Sequence, residues 1–337
     1  MAKQRDFQQI IIGGLQRSGT SLVRAVVGSH SEIAIYQWDV PLWIELYPIY
    51  GNRKLSKKMA AKMLDELLAL DKVQLCEVKF ERDFFISKIE NRTQGIYFED
   101  IYIDFLQFYQ SQIRRKYIGL KTPFNEFYAD DIFERFPNTK FIHVLRSPLD
   151  AATSLKEAKN KWWGGEINYY THIQDWEYSA SKAVSRLKQY PNRYFVLRYE
   201  DLITHPEKYT KAICDFLGVE YEPEMLEMQG QAGWKGNNSS FKKGEKKAAF
   251  SSASVNRYKE LLIPSVQKKY VQILGNLLER FNYLPEGEQA TSKKPLAYHW
   301  SGFQTRTYKA LLIRLKRWGI YDDLYRVKSA IFGQKKN

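Results

Sequence analysis

The stretch from residue 9 to residue 30 constrains the fold more than any other part of the chain. It reads QIIIGGLQRSGTSLVRAVVGSH, an apolar run, two glycines, a polar loop and then apolar residues at helical spacing. The first N–H groups of such a helix have no intrahelical partners, and the helix dipole favours negative charge there. This strand–loop–helix unit therefore predicts an anion-binding site at the start of the helix.

The loop resembles a phosphate-binding P-loop in spacing but lacks its lysine. Gly14, Gly19 and Ser21 match the pattern G-x-x-x-x-G-K-[ST], whereas Thr20 stands at the lysine position. Because that lysine normally reaches the β- and γ-phosphates, its absence argues against hydrolysis of ATP or GTP. Arg17 supplies positive charge inside the loop instead. A glycine pair that serves only a structural turn is the alternative interpretation.

Short apolar segments alternate with helical patterns through most of the chain. The strand-like segments are residues 10–12, 32–36, 117–120, 141–145 and 193–197. This alternation predicts an α/β fold, a three-layer parallel sheet flanked by helices. A change in composition to a basic and aromatic tail divides the sequence into an α/β domain at residues 1–285 and a basic helical C-terminal extension at residues 286–337.

The charge balance favours anionic partners. The chain has 52 Lys and Arg against 38 Asp and Glu, a net charge of +14, which suits nucleotides, acidic glycans, nucleic acid or anionic lipid. Its two cysteines indicate no disulfide framework and fit a reducing compartment. Without an apolar signal region or a long apolar run, the sequence predicts a cytoplasmic protein, with peripheral membrane contact as an open alternative.

Basic side chains follow two of the predicted strands at their carboxyl ends, where open parallel sheets bind ligands. Lys121 follows the segment 117–120, and Arg146 follows the segment 141–145. Arg146 offers a planar fork for bidentate phosphate binding, and Ser154 in the next helix adds a hydroxyl. For Lys121, a side chain that only snorkels at the strand edge is the competing interpretation.

Two basic segments lie towards the C-terminus. Residues 230–257 are polar, basic and glycine-rich, and we expect either a linker or a lid that closes over a nucleotide. The lid candidates are Lys242, Lys243, Lys246, Lys247 and Arg257.

The extension then repeats apolar residues on one helical face, beside Arg314, Lys316 and Arg317. The apolar residues of this face are Leu311, Leu312, Leu315 and Trp318. Such a helix suits docking on the main domain, which we prefer, or contact with an anionic membrane.

Three separated segments resemble the sulfotransferases that use 3′-phosphoadenosine 5′-phosphosulfate (PAPS), in their bacterial, carbohydrate and tyrosyl-protein forms. They are QRSGTSLVRAVVGSH, similar to the 5′-phosphosulfate loop, GLKTPF, similar to a lysine-bearing segment, and FIHVLRSPLDAATS, similar to the 3′-phosphate motif. The segment RYEDL is a further similar element, whereas Ser147 departs from the usual acidic or amide residue. The resemblance spans about residues 9–220 and implies the sulfotransferase fold, which is related to P-loop nucleoside triphosphate hydrolases.

The resemblance also implies roles for individual residues. The 5′-phosphosulfate would be held by Gln16, Arg17, Ser18, Gly19, Thr20, Ser21 and Leu22. Arg146 and Ser154 would bind the 3′-phosphate, and Tyr199 would reach the nucleotide unless it is only a core tyrosine. Lys121, with Arg17 as a second catalytic candidate, would neutralise charge on the bridging oxygen as the S–O bond breaks.

The general base is less clearly indicated. Asp39 is the nearest carboxylate to the expected position and completes the catalytic candidates, with Glu45 in reserve. Asp39 as the cap of a helix that begins at Pro41 is an equal alternative. Because the glutamate pair of tyrosyl-protein members is absent from this region, tyrosine specificity is not predicted.

Taken together, the sequence predicts a transferase: a nucleotide-binding, PAPS-dependent O-sulfotransferase. Its acceptor would be a hydroxyl of a carbohydrate, lipid or small metabolite, with PAPS as co-substrate, no metal, and no nucleic acid partner. One rival is a P-loop nucleotide kinase or hydrolase, disfavoured by Thr20. The other is a non-enzymatic basic adaptor that binds nucleic acid or anionic membrane.

Overall fold

The computed structural model describes residues 4–228 and 250–317. A parallel sheet of five strands, in the order β2-β3-β1-β4-β5, runs through the centre of the described chain. The strands are β1 (Ile10–Gly13), β2 (Ile33–Ile35), β3 (Tyr117–Lys121), β4 (Lys140–Leu145) and β5 (Tyr194–Arg198). Each strand-like segment of the sequence lies in this sheet, so the predicted α/β class is confirmed.

Helices follow or separate the strands. The α-helices are α1 (Thr20–Gly28), α2 (Tyr47–Tyr50), α3 (Lys57–Leu68), α4 (Asp71–Gln74), α5 (Arg82–Asn91), α6 (Phe98–Ile113), α7 (Ala129–Arg135), α8 (Pro148–Ala158), α9 (Tyr169–Gln189), α10 (Tyr199–Thr204), α11 (Pro206–Leu217), α12 (Tyr258–Leu261), α13 (Pro264–Arg280) and α14 (Leu296–Arg317). Shorter π- or 3₁₀-helical turns lie at Leu42–Leu46, Asn125–Tyr128, Lys159–Trp163, Pro223–Leu226 and Ser252–Ser254.

The isoleucines of β1 explain why the sheet lies between two layers of helices. Successive side chains of a strand point to opposite faces, and each face here meets its own apolar cluster. Ile11 packs with the side of the sheet covered by α3 and α6, whereas Ile10 and Ile12 pack with α1 and α11. A strand that is apolar on both faces must be covered on both, which produces the three layers.

The register of β1 brings the functional ends of three strands together. β1 pairs with β3 on one side, where Ile12 lies opposite Lys121, and with β4 on the other, where Gly13 lies opposite His143. The loop that leaves β1 therefore lies between the end of β3 and the end of β4. Ligands of open α/β sheets bind at such a point, beyond the carboxyl ends of the strands.

The C-terminal helix α14 docks on the α/β domain. Lys294, just before α14, pairs with Glu177 of α9 at 2.6 Å, and the Ser301 hydroxyl lies 3.2 Å from that of Thr171. At the other end of α14, the Arg317 Nε donates to the Pro48 carbonyl at 2.8 Å. The preferred interpretation of this segment, docking, is therefore what the described residues show.

Two parts of the tail prediction need qualification. Leu311 is 52 % exposed, so the predicted apolar face does not dock as a whole. Trp318 lies outside the described residues, and membrane contact stays a prediction. In the parts of the chain that the structure describes, no helix is both long and apolar enough to cross a bilayer.

Candidate active site

The loop between β1 and α1, residues 14–19, needs glycine at two positions. Gly14 has φ 141° and Gly19 has φ 92°. A Cβ on Gly14 would lie 2.4 Å from the Val144 carbonyl oxygen, and one on Gly19 would lie 2.3 Å from the Tyr199 ring. Gly19 is also the N-cap of α1 and has no side chain to cap it, so backbone N–H groups at this helix start are suited to an anion.

Residues from three separate segments meet beside this β1–α1 loop. Arg17 Nε donates to Ser154 Oγ at 3.0 Å, and Arg146 Nη1 donates to the Arg17 carbonyl at 2.8 Å. The Arg146 guanidinium also lies over the Tyr199 ring, 4.6 Å from its centroid. The structure thus brings together all four of these predicted donor-binding side chains.

The electrostatics of this cluster suit an anion. Burial lowers the pKa of the Arg17 guanidinium, and the neighbouring charge of Arg146 lowers it further. Among the described residues, the buried Arg146 Nε has no hydrogen-bond partner. An unpaired guanidinium N–H beside a second guanidinium is suited to an anion.

Lys121 lies between Ser21 in the first turn of α1 and the Asp39 carboxylate. Its side chain is only 2 % exposed, its Nζ lies 3.2 Å from Ser21 Oγ, and it forms an ion pair with Asp39. Burial lowers the pKa of Lys121, while the charge of Asp39 opposes that effect. Arg24 of α1 lies 3.9 Å from the same Asp39 oxygen. Asp39 itself is 40 % exposed. The buried Lys121 ammonium is therefore paired with a carboxylate that solvent can reach.

The position of Asp39 distinguishes between the alternatives left open by the sequence. The helical turn Leu42–Leu46 has Pro41 as its N-cap and no side-chain capping bond, so the capping role considered for Asp39 is wrong. Thr122 Oγ1 donates to the Val40 carbonyl at 2.8 Å, which holds the segment of Asp39 beside the end of β3. Glu45, the reserve candidate, is exposed and lines a cleft beside α14.

The remaining residues predicted for the loop divide into two groups. Gln16 is exposed and lines a small cavity of about 220 Å³. Ser18, Thr20 and Leu22 are buried, and the Leu22 side chain belongs to the apolar cluster under α1. For Leu22, only the backbone remains available to a ligand at this loop.

Most of the predicted basic lid lies outside the described residues. This applies to the lysine candidates Lys242, Lys243, Lys246 and Lys247. Arg257 is described, and its Nη1 donates to Glu157 of α8 at 3.1 Å.

Asp150 holds the segment that contains Arg257. This buried carboxylate accepts the backbone N–H groups of Asn256 and Tyr258 at 2.8 and 3.1 Å. Arg146 Nη2 donates to the Ser254 carbonyl of the same segment at 2.7 Å. Asp150 was missed as a site residue, although it stands within the quoted R-S-P-L-D sequence.

Two further residues at the site were also missed. Arg24 faces Asp39. The sequence could have indicated it as a lone charged residue among the apolar residues Val23, Ala25 and Val26 of the helix. Glu126 accepts the backbone N–H of Gly14 at 2.7 Å from a fully buried position. Only its place shortly after Lys121 hinted at this contact.

Comparisons with known proteins identify the family of the chain. A sequence model described as "Sulfotransferase family" matches residues 9–223. Protein-tyrosine sulfotransferase 1 of Danio rerio is 22 % identical over 233 residues, 68 % of this chain and 59 % of that protein. The omega-hydroxy-beta-dihydromenaquinone-9 sulfotransferase of Mycobacterium bovis is 31 % identical over 115 residues, 32 % of this chain and 30 % of that protein.

A solved structure extends the comparison to the fold. The sulfotransferase domain from the Synechococcus PCC 7002 olefin synthase superposes with a TM-score of 0.59 at 19 % identity, covering 85 % of this chain and all of that domain. The chain spans about 59 % of the Danio rerio relative, so it is similar to part of that protein. Because the family model matches residues 9–223, more than half of the chain, the chain belongs to the sulfotransferase family.

Proposed function

We propose that this protein is an O-sulfotransferase that uses PAPS as its donor. The observation that carries the proposal is the position of Lys121, whose ammonium contacts Ser21 of the β1–α1 unit and the Asp39 carboxylate at once. A cation so placed can serve both the leaving group on the donor side and the nucleophile on the acceptor side. Such an arrangement is suited to group transfer between two bound molecules.

The donor side accounts for both ends of PAPS. The backbone of residues 16–22, with Arg17, Thr20 and Ser21, would hold the 5′-phosphosulfate at the start of α1. Arg146 and Ser154 would bind the 3′-phosphate, for which the unpaired Arg146 Nε is a ready donor. Tyr199, stacked under Arg146, would stiffen this end of the site.

The transfer itself needs no covalent enzyme intermediate. The acceptor oxygen forms a bond to sulfur as the bond from sulfur to the bridging oxygen breaks, and that oxygen leaves with the electron pair on the 3′,5′-bisphosphate. Lys121 stabilises the growing charge on the bridging oxygen, an interaction strongest in the transition state. Asp39 hydrogen-bonds to the acceptor hydroxyl and takes its proton.

The acceptor side contains a largely apolar cleft of about 320 Å³ between the Leu42–Leu46 turn and α14. Its lining residues are Ile44, Glu45, Ile49, Phe124, Phe127, Tyr128, Leu312, Ile313 and Lys316. Phe124 connects the cleft to the donor side, because its N–H donates to the Gly14 carbonyl at 3.1 Å. We therefore propose that the C-terminal extension forms one wall of the acceptor site.

The lining favours one part of the predicted acceptor range. The apolar surface of a ligand is stabilised when it is buried against apolar and aromatic side chains. Among carbohydrates, lipids and small metabolites, the cleft supports a hydroxyl carried on a lipid or an apolar metabolite. One relative is named for protein tyrosine and another for a menaquinone derivative, so their names alone do not select an acceptor.

Replacing Leu312 with aspartate is expected to raise KM for an apolar alcohol acceptor by about tenfold or more, because a charge would then line the apolar cleft. The Kd for 3′-phosphoadenosine 5′-phosphate (PAP) should stay unchanged. Leu311→Asp is the matched control, since Leu311 is on the same helix but 52 % exposed. Equal KM values for the two variants in a radiolabelled sulfate-transfer assay would remove α14 from the acceptor site.

The function is tested by its donor. Isothermal titration calorimetry should show PAP binding at least about thirtyfold tighter than 5′-AMP, the value expected for one charge-assisted phosphate contact. Transfer of labelled sulfate from PAPS to an apolar alcohol should follow. Equal affinities for PAP and 5′-AMP would contradict the 3′-phosphate site, and would favour a kinase or hydrolase if ATP bound better than either.

A further inference from the structure

Glu126 is a buried carboxyl group in direct contact with the β1–α1 loop. Its Oε2 accepts the Gly14 N–H at 2.7 Å, and the residue is fully buried. A Cβ on Gly13 would come 3.1 Å from the same oxygen. Gly13 at the end of β1 and Gly14 at the start of the loop therefore both lie against this side chain. The contact occupies the Gly14 N–H.

The residues around Glu126 hold the loop at two further points. The Phe124 N–H donates to the Gly14 carbonyl at 3.1 Å, and Asn125 Nδ2 donates to the Ile12 carbonyl at 3.3 Å. Phe124 adopts φ 69°, an uncommon conformation for a bulky residue that other contacts must hold in place. Because this turn follows Lys121 directly, it sets the distance between the lysine and the loop.

A chain of buried hydrogen bonds leads away from Glu126. Its Oε1 lies 2.9 Å from Ser179 Oγ, Ser179 Oγ lies 2.9 Å from His143 Nε2, and His143 Nδ1 lies 2.8 Å from the Tyr194 hydroxyl. With Glu126 ionised, each donor points towards it: Tyr194 to His143, His143 to Ser179, Ser179 to the carboxylate. With Glu126 protonated at Oε1, the carboxyl O–H donates to Ser179 Oγ, which has a second lone pair and still accepts from His143 Nε2.

Among the hydrogen-bonded residues Glu126, Ser179, His143 and Tyr194, only Glu126 has a pKa near neutrality. Burial raises its pKa to about 7, against the hydrogen bonds from Ser179 and Gly14, and Asp175 of α9 adds to the rise. Burial lowers the pKa of His143 to about 3, which keeps that imidazole neutral. Burial raises the pKa of Tyr194. The charges of Glu126 and Asp130 raise it further and that of Arg186 lowers it, so this phenol stays protonated.

We propose that Glu126 is a positioning residue that fixes the β1–α1 loop relative to Lys121 and takes up a proton when the anionic donor binds. An anion held by the loop places negative charge near the carboxylate, which disfavours its ionised form. Protonation at Oε1, beside Ser179, leaves Oε2 free to keep its hydrogen bond from Gly14. The inference rests on the proposed function, since PAPS is the donor it assumes.

The test is calorimetry with PAP at pH 7 in two buffers of different ionisation enthalpy. If donor binding raises the proton affinity of Glu126 tenfold, the wild type takes up roughly 0.4 proton more per PAP than Glu126→Gln. Glu90→Gln, at an exposed position of α5, is the matched control and should behave as the wild type. Glutamine mimics the protonated acid, so the Kd of Glu126→Gln should stay within about threefold, whereas Glu126→Ala should weaken PAP binding about tenfold or more.

Equal proton uptake by wild type and Glu126→Gln would overturn the proton linkage, and wild-type affinity in Glu126→Ala would overturn the positioning role. If the wild type does not bind PAP, the proposed function fails first and this inference with it. If neither variant folds, nitrogen NMR of histidine-labelled wild type decides. At pH 7, PAP should shift the His143 Nε2 resonance, because its partner Ser179 changes from donating to Glu126 to accepting from it, and an unchanged resonance would refute the proposal.

Discussion

Replacing Lys121 with methionine is expected to lower kcat for sulfate transfer by about a hundred- to thousandfold, the loss typical of removing one preorganised charge-stabilising group. The Kd for PAP should change by less than about threefold, because the lysine is proposed to act mainly on charge that appears in the transition state. Methionine keeps the unbranched stem in its buried position. Arg24 still lies near Asp39 in the variant, so the carboxylate keeps a cation beside it.

Single-turnover transfer from labelled PAPS, with PAP calorimetry in parallel, measures the two effects separately. Lys79→Met is the matched control, since Lys79 is exposed in the segment before α5. An unchanged kcat in Lys121→Met would remove the lysine from the mechanism. An equal loss of kcat and of PAP affinity would show that it serves donor binding instead.

Asp39→Asn tests the other half of the same ion pair. Loss of a general base should lower kcat by about a hundredfold or more. Glu45→Gln removes a carboxylate from the wall of the proposed acceptor cleft but no base, so its kcat should fall far less than that of Asp39→Asn. The opposite pattern would transfer the role of base to Glu45.

Replacing Arg146 with alanine is expected to weaken PAP binding by about thirtyfold or more while 5′-AMP binding changes by less than about threefold. The 3′-phosphate loses a charge-assisted hydrogen bond, whereas the 5′-phosphate keeps the loop and Arg17. Arg146 also supports the Arg17 and Ser254 carbonyls, so a small loss for both nucleotides is expected as well. Calorimetry with the two nucleotides separates the common loss from the selective one.

Ser154→Ala is the milder companion of Arg146→Ala. It removes one hydroxyl and should reduce PAP affinity by about three- to tenfold. Thermal unfolding should confirm that both variants are folded. A parallel loss of PAP and 5′-AMP affinity in Arg146→Ala would mean that this arginine only supports the loop, and the 3′-phosphate would need another site.

Local pattern was enough for the sheet and for most of the donor side. The strand signal of residues 10–12, the glycines of the loop and the helical spacing after Thr20 are short-range features, and they predicted β1, the loop and α1. Lys121 and Arg146 were found because a strand carries its following residue to a known edge of a parallel sheet. What these residues do in the reaction remains a prediction.

Other parts of the site had no local signature. Arg24 and Asp150 are single charges whose partners lie 15 residues away or more than 100 residues away, and nothing in their immediate sequence names those partners. The capping role considered for Asp39 was wrong because a distant lysine, held at the end of β3, binds that carboxylate instead.

The sequence by itself determined a parallel α/β fold with an anion-binding loop, since strand and helix periodicities and glycine requirements are local properties of the chain. The tertiary structure decided the rest: Asp39 beside Lys121, Glu126 under Gly14, and α14 along the apolar cleft. Each of these contacts depends on the packing of whole elements around the sheet. The loop between β1 and α1 therefore predicts an anionic ligand. The elements packed beside that loop predict how the ligand is held and what it can react with.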